Sequence, residues 1–173
     1  MSSPSYIRTG LLFKIAVSLR GLMPGGEEQF NHASGLVIVT QQFDEALLVR
    51  RASGSYCGRW STPGGFRLLF YESNDGGEQD LESSLNCAVR ETMEEIGQIP
   101  NGRIRTVPHT FVRTNNRTYD TFVLEVQASE RKGFIPSLDY NEVQDAVWHP
   151  IDGITKRTDV HPGLQEFFRE YRF

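Results

Sequence analysis

The chain has 173 residues, 38% hydrophobic and 23% charged, a composition typical of one globular domain rather than a disordered chain. Its net charge of −4 disfavours a protein that binds duplex nucleic acid through a positive surface. Two cysteines are too few for a disulfide scaffold or a four-cysteine zinc site, and no apolar run approaches the ~20 residues of a membrane span. We therefore expect one cytoplasmic domain over residues 1–173, without a membrane partner.

The first half of the chain predicts strands and one long loop. Residues 1–6 are expected to form a loose terminus, and the glycine-rich residues 53–65 are expected to form a loop. The predicted strands are Leu11–Leu19, Gly35–Thr40, Ala46–Arg50 and Phe66–Tyr71. The second and third of these are short apolar runs separated by a turn, which is the pattern of a β-hairpin.

The second half predicts a long central helix and then more strands. Apolar residues recur at helical spacing from Leu81 to Ile96, with Asp80 as the predicted N-cap and Gly97 as the C-terminal stop. The elements predicted after it are the strands Arg103–Val112, Thr118–Val126 and Glu142–His149, and a last helix, Gly163–Tyr171. Strands on both sides of a central helix predict a mixed α/β sandwich.

Three glutamates share one side of the central helix. Glu91, Glu94 and Glu95 fall within an arc of roughly 100° on a helical wheel. Like charges at this spacing repel, and the repulsion grows beside an apolar core, where the medium screens less. Arg90 supplies one compensating charge, whereas a divalent cation would supply two, and carboxylate oxygens suit Mg²⁺ or Mn²⁺. A solvated acidic face is the commoner explanation for such a run, so these residues alone leave both interpretations open.

The order of seven residues is more specific than the charge run. The pattern G-x5-E-x7-R-E-x2-E-E-x-G is formed by Gly76, Glu82, Arg90, Glu91, Glu94, Glu95 and Gly97. With residue frequencies near 7%, such a match arises by chance on the order of once in a million chains. The pattern resembles the Nudix box, and residues 60–65 resemble the W-x-x-P-G-G sequence that precedes it in that family. The resemblance covers roughly residues 33–151 and implies a Nudix-type α/β/α sandwich with a mixed β-sheet in a single domain.

The segment before the box departs from the family pattern. Gly65 stands 17 positions before Glu82, although the family pattern places this glycine six positions before that glutamate. Either Gly76 or the pair Gly64 and Gly65 therefore fills the structural role of the box glycine. We favour the pair, because the proline before it fixes the turn. Residues 66–78 are then an atypical loop insertion beside the site.

The resemblance implies a Nudix pyrophosphohydrolase that cleaves the diphosphate linkage of a nucleoside diphosphate joined to another group. Its cofactor would be Mg²⁺, with Mn²⁺ as a substitute, and the implied metal ligands are Glu91, Glu94, Glu95 and the carbonyl of Gly64. The implied catalytic residues are Arg90, Glu91, Glu94, Glu95 and Glu142. Arg90 would orient the glutamates, and the general base is either Glu91 or Glu142.

The substrate is expected to be a small nucleotide. Candidate contacts are Arg50, Arg51 and Arg113 for phosphate and Trp60 for a base, although solvated arginines and a packed tryptophan are the ordinary alternatives. Tyr56, Phe66 and Phe70 are further aromatic candidates with the same alternative. A nucleoside triphosphate, a nucleotide sugar and a dinucleotide all stay open as substrates.

Two other functions are known on folds of this kind. The first is a nucleotide-binding sensor without catalysis, and the second is an isoprenoid diphosphate isomerase, for which Cys57 is the candidate cysteine. The intact box disfavours both. A homodimer formed through Leu11–Leu19 is a further hypothesis.

Overall fold

The computed structural model describes residues 32–70, 80–105, 109–113 and 117–171. Its strands are β1 (His32–Thr40), β2 (Glu45–Arg51), β3 (Trp60–Ser61), β4 (Gly64–Phe66), β5 (Leu69–Phe70), β6 (Asp80–Leu81), β7 (Gly102–Ile104), β8 (His109–Arg113), β9 (Arg117–Val126) and β10 (Val143–Pro150). Its helices are α1 (Ser84–Ile96), α2 (Ala128–Gly133), α3 (Ile151–Ile154) and α4 (Pro162–Glu170).

One mixed sheet organises the fold. Its main path runs β10-β2-β1-β9-β7, with β3 paired to β2, β4 to β1 and β8 to β9. The pairing of β1 with β9 is parallel along the whole of β1, and the other pairs within this sheet are antiparallel. The other edge of β1 meets β4 at Gly35 and β2 at Ile38. The central strand thus brings the end of β2 and the start of β4 into the same region.

Two hydrophobic cores cover the two faces of this sheet. Alternating side chains of β1 enter different cores, because successive residues of a strand point to opposite faces. Leu36 and Ile38 pack with Ala88 and Ile96 of α1. On the other face, Val37 and Val39 pack with residues of α3 and α4, including Phe167. The predicted α/β/α sandwich with a mixed sheet is confirmed.

Helix α1 begins later than its apolar pattern predicts. The prediction of Asp80 as the N-cap is wrong, because Asp80 belongs to β6 and pairs with β5. The N-cap is Ser83, whose hydroxyl accepts a hydrogen bond from the backbone N–H of Asn86 at 3.2 Å. The predicted end is confirmed, since Gly97 has φ 75° and donates its N–H to the carbonyl of Met93 at 3.0 Å.

The remaining predictions vary in accuracy with the length of the element. The β1–β2 hairpin, β9, β10 and α4 agree with the predicted elements to within a few residues. The predicted strand Phe66–Tyr71 is wrong, because β4 ends at Phe66 and β5 begins at Leu69. The short α2 and α3 were not predicted. Residues 1–6, the predicted strand Leu11–Leu19 and most of the proposed insertion lie outside the described residues.

Candidate functional site

Three carboxylates meet beside the sheet. One carboxylate oxygen from each of Glu91, Glu95 and Glu142 lies within 4.8 Å of the other two. Glu91 and Glu95 stand one helical turn apart on α1, and each is only 5% exposed. Both glutamates therefore belong to the buried face of the helix, on which Ala88, Thr92 and Ile96 also lie.

Backbone hydrogen bonds fix Glu142 relative to α1. The segment before β10 donates the N–H of Ser137 to the carbonyl of Ile96 and the N–H of Asp139 to that of Glu95, each at 3.0 Å. These carbonyls end the helix and lack partners within it, so the segment acts as a cap. A turn then follows, in which Glu142 donates its N–H to the carbonyl of Asp139 at 2.9 Å. The third carboxylate is thus tied to the helix that carries the other two.

Burial makes this cluster electrostatically unfavourable. Burial raises the pKa of Glu95 to about 8, although the N–H of Gly64 opposes the rise, and the charge of Glu91 adds to it. Burial also raises the pKa of Glu91, against the opposing charge of Arg90. A buried group of like charges of this kind is stabilised by a cation that neutralises it.

Arg90 binds a different set of carboxylates. It donates to Glu82 through Nε at 3.0 Å and Nη2 at 2.9 Å, and its Nη1 donates to Glu91 at 2.6 Å and Glu94 at 2.9 Å. Glu82 is 4% exposed, precedes α1 and has its charge satisfied by this arginine. The structure leaves Glu94 outside the three-carboxylate group, because its side chain is 52% exposed and turned towards Arg90.

Two adjacent glycines give the carboxylates room. A methyl group on Gly65 would lie 2.5 Å from Cδ of Glu91, so a larger residue would displace this carboxylate. Gly64 has φ 155°, a conformation that favours glycine, and its N–H points to Oε1 of Glu95 at 3.5 Å. Gly64 pairs with Gly35 in the antiparallel ladder between β4 and β1. The backbone hydrogen bonds on either side of this pair run from the N–H of Leu36 to the carbonyl of Pro63 and from the N–H of Arg67 to the carbonyl of His32. The C=O of Gly64 therefore turns away from β1, to the side on which its N–H meets Glu95.

Sequence reasoning missed Tyr119, which lies over the same glycines. A methyl group on Gly64 would lie 2.5 Å from the Tyr119 hydroxyl oxygen, and one on Gly35 would clash with it. Burial raises the pKa of this hydroxyl, and the nearby Glu95 raises it further. The signal in the sequence was Gly35 at the start of an apolar strand, because glycine inside a strand marks a close approach of another group.

The predicted substrate contacts fall in different places. Arg51 lies close enough to Glu95 for its charge to oppose the rise in that carboxyl's pKa, and its buried Nε has no hydrogen-bond partner among the described residues. Arg50 is exposed and donates Nε to the carbonyl of Gly58 at 3.2 Å. Trp60 packs against the core formed with α3 and α4, with Arg157 5.9 Å from its ring centre. Arg113 lies in β8, and its side chain is outside the described structure.

The family model of the NUDIX domain matches residues 30–171. The chain belongs to the Nudix family. Nudix hydrolases generally use divalent metal ions, which agrees with a cluster of three carboxylates. A comparison with curated proteins gives no significant match. None of the described helices is long and apolar enough to span a bilayer.

Solved Nudix structures share the fold at low sequence identity. A MutT Nudix hydrolase from Burkholderia pseudomallei is 17% identical, with a TM-score of 0.59, over 84% of this chain and 100% of that chain. An Ap4A hydrolase from C. elegans is 20% identical, with a TM-score of 0.55, over 80% of this chain and 93% of its own. The NUDIX domain of Shewanella oneidensis NrtR, solved with ADP ribose, is 21% identical, with a TM-score of 0.52, over 80% and 86%. At these identities the likeness concerns the fold alone.

Proposed function

We propose that this protein is a Mg²⁺-dependent Nudix hydrolase that cleaves the diphosphate linkage of a nucleoside diphosphate joined to a second group. The observation that supports the proposal most is the meeting of Glu91, Glu95 and Glu142 within 4.8 Å, two of them buried. A structural ion-pair network would include a basic partner at the centre of such a group. In the described structure the arginine of the box contacts this group at Glu91 and directs its other carboxylate contacts to Glu82 and Glu94, outside the group.

The donor set fits a hard divalent cation. Mg²⁺ prefers oxygen ligands and usually keeps several water ligands, so two or three carboxylates are a suitable number. Glu95 would hold the ion together with one or both of Glu91 and Glu142, and the carbonyl of Gly64 turns to the side of Glu95. The raised pKa of Glu95 means that binding the cation releases a proton near neutral pH. Mn²⁺ has similar ligand preferences and is the expected substitute.

The residues around this site have separate tasks in diphosphate hydrolysis. A bound Mg²⁺ would neutralise charge on the diphosphate and lower the pKa of a water. Arg90 holds Glu91 in place through the contact at 2.6 Å. Arg51 has a guanidinium nitrogen without a partner in the described structure and suits a phosphate oxygen of the substrate. Arg50 is the preceding residue of the same strand, so its side chain points to the opposite face of the sheet, and we assign it no phosphate contact.

The general base is Glu91 or Glu142, and two matched variants distinguish them. A base accepts the proton of the attacking water, so its amide variant loses kcat and retains metal affinity. The amide variant of a residue that acts only as a metal ligand loses both kcat and metal affinity. We therefore compare Glu91→Gln with Glu142→Gln by kcat and by calorimetric titration with Mn²⁺.

A hydrolysis panel tests the proposed function. The protein is incubated with Mg²⁺ and, separately, with nucleoside triphosphates, ADP-ribose, NADH, nucleotide sugars, diadenosine polyphosphates and coenzyme A, and products are identified by mass. Turnover of one class that Glu95→Gln abolishes supports the proposal and names the substrate. Saturable binding of one ligand without turnover under Mg²⁺ or Mn²⁺ contradicts it and favours a sensor.

A further inference from the structure

Four large hydrophobic side chains of the described residues are exposed: Tyr56, Phe66, Ile135 and Tyr140. A large exposed aromatic ring leaves apolar surface in contact with water, and a ligand that stacks on the ring removes that surface from water. Tyr56 differs from Tyr140 because fixed neighbours hold its ring, whereas the described residues make no ring or cation contact with Tyr140. On this basis, and resting on the function proposed above, we infer that the Tyr56 ring is the stacking surface for the nucleobase of the substrate.

The loop that carries Tyr56 is fastened to the candidate site at its base. Arg51 donates its N–H to the carbonyl of Arg59 at 3.0 Å and accepts the N–H of Gly58 at 2.8 Å, which closes the loop. The next residue, Ala52, donates its N–H to the carbonyl of Glu142 at 2.8 Å. The loop therefore begins between the arginine proposed to bind phosphate and the third carboxylate. Tyr56 is five positions from Arg51, in the loop whose first residues bond to both ends of this arrangement.

The ring of Tyr56 is held in one orientation. Its edge meets the ring of His161 with centres 4.4 Å apart and planes inclined at 73°, and Cζ of Arg59 lies 5.8 Å from its centre. These neighbours are themselves fixed, because His161 accepts the N–H of Gly163 at 3.1 Å and Arg59 donates to the carbonyl of Thr158 at 3.0 Å. A ring that is already ordered loses little conformational entropy when a planar base stacks on it.

Tyr56 also has an unfavourable backbone conformation. Its φ is 63°, in the left-handed region that glycine adopts readily and tyrosine rarely does. Such a residue persists because the surrounding structure holds it, and functional sites are where these residues concentrate. The side chain is nonetheless 42% exposed, so packing in a core does not explain why a tyrosine stands at this position.

Binding of unreactive analogues tests this inference. The probes are the α,β-methylene analogues of ADP, GDP, CDP and UDP, with methylenediphosphonate as the matched ligand that lacks a nucleoside, all titrated in the presence of Mg²⁺. We expect Tyr56→Ala to weaken binding of the nucleoside analogues about tenfold and to change methylenediphosphonate binding less than about twofold. Tyr56→Phe retains the ring and should bind within about twofold of the wild type. Tyr140→Ala is the control for an exposed tyrosine elsewhere.

A second variant separates stacking from folding. Glycine suits φ 63°, so Tyr56→Gly should unfold at the same temperature as the wild type or higher, while losing affinity for the nucleoside analogues as Tyr56→Ala does. Equal affinity of Tyr56→Ala and wild type for all four analogues overturns the inference. So does a wild type that binds methylenediphosphonate as tightly as the nucleoside analogues, and this result leaves the proposed hydrolase intact. A wild type that binds none of the probes overturns both.

Discussion

Two groups of carboxylates lie side by side in this protein, and they differ in how Arg90 contacts them. Arg90 joins Glu82, Glu91 and Glu94 through contacts of 2.6–3.0 Å, so this group resembles an ordinary ion-pair network. The other group joins Glu91 to Glu95 and Glu142, and burial raises the pKa of Glu95 to about 8. Glu91 belongs to both. The difference supports a division of the acidic residues on and beside α1 into an ion-pair network around Arg90 and the proposed cation site.

Replacing Glu95 should have the largest effect on activity. Glu95→Gln removes one proposed metal ligand, and we expect turnover of the substrate to fall by at least ~100-fold. Glu94→Gln is the matched control, because Glu94 lies on the same helix and is 52% exposed in contact with Arg90. Its kcat/KM should stay within about threefold of the wild type. Equal losses in the two variants would contradict the division into two groups.

Replacing Arg90 should have the largest effect on stability. Arg90→Met leaves Glu82, which is 4% exposed, without its cationic partner, and breaking a buried pair in this way costs about 3–5 kcal/mol. The free energy of unfolding, measured with urea, checks this value. The double variant Arg90→Met with Glu82→Gln removes the unpaired charge and should recover part of the loss. A single variant that loses under ~1 kcal/mol would show that the network is not structural.

Filling the space at Gly65 should weaken the site without unfolding the protein. Gly65→Ala places a methyl group 2.5 Å from Cδ of Glu91, so this carboxylate must move. We expect Mn²⁺ affinity, measured by calorimetry, to fall about 10–100-fold, as for other residues that position ligands. Gly133→Ala is the control, since a methyl group there meets no atom within 4 Å. The prediction fails if both variants bind Mn²⁺ as the wild type does.

The pH dependence of stability should be smaller but distinctive. A carboxyl whose pKa is higher in the folded protein binds more protons in that state, so the metal-free protein loses stability as pH rises from about 4.5 to about 8. The slope for one proton is at most ~1.4 kcal/mol per pH unit. Urea unfolding in the presence of a chelator measures it. Stability that rises across this interval would mean that Glu95 is compensated in the metal-free protein.

Much of the fold follows from the sequence, because its longer elements have clear periodicity. The alternating residues of β9 and the glycine stop after α1 predict those elements directly. The helical spacing predicts the start of α1 too early, because Leu81 fits that spacing although it pairs in β6. The two-residue strands and the short α2 and α3 offer too few residues for a periodic pattern.

The site is predictable from the sequence only in part. The spacing of Glu91 and Glu95 is local, so a helical wheel places both on one face. Glu142 reaches them through a turn tied to the end of α1, and Tyr119 reaches them across Gly35, so these depend on long-range contacts. Trp60, a candidate base contact, is partly buried against the second core, while Tyr56 is exposed. An apolar ring alone does not indicate which of these environments it occupies.

Thermal unfolding of wild type and Glu95→Gln at pH 8, each with a chelator and with saturating Mg²⁺, tests the central claim most directly. Without metal, the variant lacks a buried charge, so we predict that it unfolds at a higher temperature than the wild type. With Mg²⁺, the wild type gains stability through binding and the variant gains little, so their order should reverse. The same order under both conditions, with no effect of Mg²⁺ on the wild type, would contradict a metal site at Glu91, Glu95 and Glu142.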